Sequence, residues 1–216
     1  MIASMGRRQA GDDCRRARSS TAAPSEGYPF ELERQLRLRD GSGVRIRPIR
    51  PDDAPRLQEF HSRLSGNTVY QRFFAIVKRL PADWARDLAT VDYRQRLALV
   101  VEAYAGGEWV LIAVGRYDAT GEADTVEVAF VVQDSWQNRG LGTTLFEEIL
   151  QAATARSYLR FRAYVLADNR RMLDLITRCT RVESRNTELG VTELVFMLDA
   201  ERRARDFGSS PGRSPR

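Results

Sequence analysis

Lysine is nearly missing from this chain of 216 residues: of its 34 basic side chains Lys78 is the only one, and the rest are arginine. A phosphate loop of the form GxxxxGK[ST] is thereby excluded, and no GxGxxG with an acidic residue one strand later is present either. The single histidine, His61, excludes histidine-rich zinc or iron centres, and no metal is expected. Two cysteines, Cys14 and Cys179, are too few for a disulfide framework or a metal knuckle and fit a reducing, cytoplasmic address. No apolar run approaches the ~20 residues of a membrane span, and the N-terminus lacks the apolar segment of a secretory signal. The net charge of +5 is unevenly spread. Residues 1–23 and 201–216 each carry five arginines against two acids, which leaves −1 for the stretch between them. Basicity confined to tails speaks against nucleic acid as a partner of the folded part.

What is present suits one soluble domain: 43% hydrophobic and 29% charged residues in a length that can bury a real core. Aperiodic Arg, Ser, Ala and Gly mark residues 1–34 as a disordered basic leader and 201–216 as a disordered basic tail, around a domain at 35–200. Residues 36–38 read as a short strand, 40–43 as a turn, and 44–50 as an alternating, half-exposed strand. Pro51-Asp52-Asp53 starts a helix with Asp52 or Asp53 as N-cap and Leu57, Phe60 and Leu64 facing inward. Ser65-Gly66-Asn67 breaks it, a second helix runs from about 68 to 80, and a third, short one falls within 81–91. Two apolar strands, 97–104 and 109–117, join at the hairpin Gly106-Gly107.

The rest of the chain is arranged around residues 125–156. A β-branched and aromatic strand, 125–132, leads through a polar connection to Gly140-Leu141-Gly142. The apolar period then changes, with Leu141, Leu145, Ile149 and Ala153 on one helical face. The first amides of a helix lack intrahelical partners and carry the positive end of the dipole. Glycines let that backbone close around phosphate oxygens, so a diphosphate is the natural guest, with Arg139 adding a fixed positive charge. A strand at 159–167, a helix at 168–179 with Asp168 as N-cap, and a strand at 192–198 complete the chain.

Gln137-Asn138-Arg139-Gly140-Leu141-Gly142 after a hydrophobic strand resembles the [RQ]-x-x-G-x-[GA] diphosphate loop of the GNAT superfamily of acyl-CoA-dependent N-acetyltransferases. The element order matches as well, over about residues 41–198. The resemblance implies an α+β fold: a central, mostly antiparallel sheet of six or seven strands flanked by helices, with a β-bulge or splay at the acyl-CoA site. It implies acetyl-CoA as co-substrate. Gln137, Asn138, Arg139, Gly140, Leu141, Gly142 and Thr143 would hold the diphosphate, and the backbone of Phe130, Val131 and Val132 would pair with pantetheine and polarise the thioester carbonyl. Val165-Leu166-Ala167-Asp168-Asn169-Arg170-Arg171-Met172 resembles a second segment of the family, whose asparagine contacts the cofactor; that role falls on Asn169, with Arg170 or Arg171 near the 3′-phosphate.

Acyl transfer to an amine needs a neutral nucleophile, although a free lysine has a pKa of about 10.4. Glu127, a lone carboxylate amid apolar residues and on one strand face with Ala129 and Val131, is the candidate general base; partial burial would raise its pKa into a useful range. The family's usual tyrosine acid, seven residues after the asparagine, is here Ile176, and Tyr164 lies on the neighbouring strand. For the acceptor, Leu64-Ser65-Gly66-Asn67-Thr68-Val69-Tyr70-Gln71-Arg72-Phe73-Phe74 resembles a segment of Pat-type bacterial protein lysine acetyltransferases. That resemblance implies a protein substrate with an exposed lysine, typically an acyl-CoA synthetase, and an enzyme that is a monomer or homodimer without membrane attachment. Acetylation of a small amine (polyamine, aminoglycoside or amino acid) and a non-catalytic CoA-binding regulator are the alternatives.

Overall fold

The computed structural model describes residues 27–199; most of the expected leader and all of the tail lie outside them. Its frame is one eight-stranded sheet. The strands are β1 (Arg34–Arg37), β2 (Gly43–Pro48), β3 (Arg96–Ala105), β4 (Glu108–Ala119), β5 (Thr125–Val132), β6 (Arg160–Leu166), β7 (Thr180–Glu188) and β8 (Val191–Leu198), in spatial order β1-β2-β3-β4-β5-β6-β8-β7. Every neighbouring pair is antiparallel except β5 and β6, which are parallel and joined through a helical crossover.

Helices cover both faces. On one lie α4 (Leu141–Thr154) and α5 (Arg170–Cys179); on the other α1 (Ala54–Ser62), α2 (Gly66–Phe73) and α3 (Ala82–Ala89). Strand alternation separates the two cores. Val44 and Ile46 of β2 and Val126, Val128 and Val132 of β5 join Leu141, Leu145 and Ile149 of α4, whereas Ile49, Val100, Leu111 and Val131 face Leu57 and Phe60 of α1. Gly115 in β4 lets α4 approach: a Cβ there would stand 2.9 Å from Leu145 Cγ.

Several boundaries differ from those expected. Order begins before residue 35, because Tyr28 is buried in the α4-side core and its hydroxyl donates to Glu33 at 2.7 Å. Asp53 stands at the N-cap position of α1, but its side chain makes no capping bond there; it accepts a two-pronged contact from Arg47 (2.7 Å each) and the Arg50 amide (2.8 Å) instead. The second helix stops at Phe73, because Phe74 takes a left-handed conformation (φ 54°). Asn169, not Asp168, is the N-cap of α5, its side chain accepting the Met172 amide at 3.3 Å. β7 was not foreseen: it is an edge strand exposed beyond its first residues, and so carries no apolar alternation to reveal it.

Candidate active site

Glu127 occupies a row of charged residues that crosses the sheet. It lies opposite Asp118 on β4 and Arg162 on β6. Both neighbours are already matched. Asp118 takes Arg96 at 3.0 Å and Arg116 at 2.8 and 3.0 Å; Arg162 takes Glu122 at 2.9 and 3.0 Å and Glu193 at 2.9 Å. Glu127 itself forms no hydrogen bond or ion pair with any described residue. Burial therefore raises its carboxyl above the ordinary glutamate value, with Arg72 of α2 pulling the other way and Asp118 adding to the rise. A half-buried carboxylate without a partner, raised in pKa, has the properties a general base needs.

Immediately beyond Glu127 the sheet comes apart. The β5–β6 pairing comprises only Thr125↔Arg160, Val126↔Phe161 and Glu127↔Arg162, after which β5 continues against β4 alone and β6 against β8. The splay falls where the sequence resemblance places it. The described bulges lie elsewhere, between β3 and β4 beside Val101/Glu102 and between β7 and β8. One edge of the backbone of residues 128–132 thus faces a gap, and an extended polar ligand can pair with it as an added strand. Phe130 turns its ring toward α4, 5.5 Å from Phe146, and Val132 is buried on that same side, whereas Val131 faces α1 and α2.

β5 runs straight into the loop. Asn138 (φ 63°) and Gly140 (φ 86°) are both left-handed, and Gly140 is the N-cap of α4. None of the amides of residues 138–143 donates to an acceptor among the described residues; the helix ladder begins with Thr144 donating to the Gly140 carbonyl at 3.1 Å. This row of free N–H groups at a helix N-terminus fits a diphosphate. Leu141 buries its side chain in the core while its amide stays at the loop, and Gly142 and Thr143 form the first turn. Gln137 faces inward: its side-chain amide donates to the Val132 carbonyl at 3.0 Å and to Thr68 Oγ1 at 3.4 Å, so it shapes the loop from beneath. Arg139 is tied sideways, to Asp40 at 3.0 Å and over the Trp136 ring at 4.8 Å. The cation that leans on Gly140 is Arg39, whose Nε lies 3.8 Å from where a Cβ on that glycine would stand. Nothing local in the sequence marks Arg39, which arrives from the turn between β1 and β2.

The segment 64–74 clamps α2 to the start of the loop. Ser65 caps α2, accepting the Thr68 amide at 3.2 Å, while Asp134 at the loop's start accepts from the Ser65 amide (2.9 Å), the Ser65 hydroxyl (2.6 Å) and the Thr68 hydroxyl (2.7 Å). Asn169 heads α5 across the splay and is partly occupied by its capping bond, its side-chain N–H groups remaining free of described partners. Ile176 is buried and packs into the core, so it offers no proton donor. Tyr164 shares the Glu127 face, with its hydroxyl donating to Glu193 at 3.3 Å. No group of His, Cys, Asp and Glu among the described residues is placed to hold a metal.

These features define a class: a splayed mixed sheet with a helix N-terminus of free amides beside the splay. The profile of the acetyltransferase (GNAT) domain family matches residues 44–180, and the chain belongs to that family. Its members use acetyl-CoA as co-substrate, and the free amides of residues 138–143 and the open edge of β5 suit that molecule. Within the family the chain is similar to proteins named Pat. It is 39% identical to the GNAT domain of Streptomyces lividans PAT, whose crystal structure superposes with a TM-score of 0.71 over 79% of this chain and 99% of that one. It is 32% identical to acetyltransferase PA5475 of Pseudomonas aeruginosa (74% of this chain, 83% of that protein). It is 33% identical to acetyltransferase Pat of Mycolicibacterium smegmatis over 72% of this chain, but spans only 46% of that longer protein.

Proposed function

We propose that this acetyltransferase modifies lysine side chains of proteins, acyl-CoA synthetases being the expected class, in the cytoplasm, with Glu127 as general base. The observation that carries this reading is Glu127 itself: an unpartnered, half-buried carboxylate at the mouth of the splay, on the face covered by the helix that bears the Pat-like segment. The co-substrate supplies an acetyl thioester. Amides of residues 138–143 hold its diphosphate, the open edge of β5 orients its extended arm, and Asn169 borders the same cleft. One amide within Phe130–Val132 aims at the thioester carbonyl, where negative charge develops. Glu127 takes the proton from the incoming nitrogen, directly or through a water, as the carbon–nitrogen bond forms; the carbon–sulfur bond then breaks, and coenzyme A leaves as a thiolate that takes its proton from water. The Arg72 and Arg116 guanidiniums on the acceptor face disfavour a polyamine, which brings several like charges at once.

The test is acetylation of purified acyl-CoA synthetases followed by peptide mass spectrometry, beside a panel of small amines. Lysine adducts on a synthetase that vanish with Glu127→Gln support the proposal. Rapid turnover of small amines with no protein adducts overturns it.

A further inference from the structure

Beneath α1–α3, against β4 and β5, lies a cavity of about 40 Å³. Most of its wall is apolar, including Leu57, Phe60 and Val131, yet His61, Arg72 and Arg116 line it too. His61 is the chain's only histidine and only 4% exposed, and neither of its ring nitrogens has a hydrogen-bond partner. Buried polar groups are almost always satisfied, so an orphan of this kind calls for an explanation. Arg72 is the second anomaly. It forms no hydrogen bond or ion pair with a described residue; the Phe73 ring lies 5.1 Å away, and the charges of Arg116, Asp118 and Glu127 reach it only through space. Arg116, by contrast, is committed to Asp118.

An apolar chamber that presents a free guanidinium and a neutral imidazole lacks one thing, a negatively charged acceptor. A guanidinium matches a carboxylate two-pronged, and a neutral imidazole offers one N–H beside it. We infer that this cavity binds a short-chain carboxylate anion, its carboxylate on Arg72 and the His61 ring and its hydrocarbon end against Leu57, Phe60 and Val131. The volume admits a few water-sized groups, which sets the chain at about two to four carbons. Such anions are the free acids from which short acyl thioesters are made, so the site would let an acyltransferase respond to the unactivated form of its donor's acyl group. Binding does not depend on the acceptor or on Glu127 as base.

The lone histidine makes the test direct, because its ring Cε1–H gives a single NMR signal from the full chain that needs no assignment. Acetate, propionate and butyrate are titrated at neutral pH and matched ionic strength, with sodium chloride as the control. The expected result is a saturable shift of the His61 signal with at least one acid and none with chloride. Arg72→Gln should weaken binding about tenfold or more, whereas Glu127→Gln, which removes a charge of the anion's own sign near Arg72, should not weaken it. Should Arg72→Gln lose its fold, His61→Leu followed by calorimetry is expected to show the same weakening. No saturable shift with any of the three acids, a shift unaffected by Arg72→Gln, or one abolished by acetyl-CoA would each overturn the site, the last because it would place the anion in the acyl-donor cleft.

Discussion

The two faces of the one sheet are built on different principles. On the α4 and α5 side the strands and helices meet through apolar side chains, and fit is set by shape: Gly115 admits Leu145, and Phe146 lies between Phe130 and Phe196 at 5.5 and 5.9 Å. On the α1–α3 side charge is folded into the interior. Glu102, fully buried, takes Arg45, Arg47 and Arg56; Arg47 also holds Asp53; His61 and Arg72 face a cavity; and Glu127 stands without a partner. Shape complementarity gives a close-packed wall from which the Gly140 loop projects. The charged face carries a stability cost and holds the groups that can do chemistry.

Breaking this asymmetry should produce effects of graded size. Glu127→Gln is expected to lower kcat/KM by about 10²- to 10⁴-fold while leaving the melting temperature nearly unchanged, the signature of a proton acceptor. Glu102→Ala should strand three guanidiniums around a vacated interior position and cost about 3–5 kcal/mol in chemical denaturation. Gly115→Ala tests the opposite face by overpacking β4 against α4, and about 1–3 kcal/mol should be lost. The His61 effect is smaller and depends on pH. Burial holds its pKa below the usual 6.5, so its contribution is present above 6.5 and is lost as pH falls through the depressed value; Arg72 and Arg116 face it across the cavity. His61→Leu should accordingly flatten the fall of melting temperature between about pH 7 and 5. Last, incubation with acetyl-CoA should add at most one internal acetyl group, at exposed Lys78; intact mass showing several would contradict the composition.

Legibility in the sequence follows the same division. Apolar and β-branched runs revealed β5 and β6 nearly to the residue, and a period-4 pattern revealed the inner face of α4, because a buried face must repeat. Glycines at a helix start and a polar residue among apolar ones drew attention to the Gly140 loop and to Glu127, and the family resemblance is what gave each an expected role. The rest escaped because long-range partners decide it. The bond from Arg47 to the Asp53 side chain, the tie of Arg139 to Asp40, and the positions of Arg39 and Arg72 all depend on distant elements meeting. β7 escaped for another reason: an edge strand has little to bury.

An interrupted ladder has one more consequence. Most sheets expose unpaired backbone only at their outer margins, where any passing chain can add itself and start aggregation. Here the vacancy left by β6 is internal, walled by strands on two sides and helices on both faces. Only something slender and extended can enter and complete the pairing. Under the proposed function, this edge is open to an extended co-substrate and closed to another polypeptide.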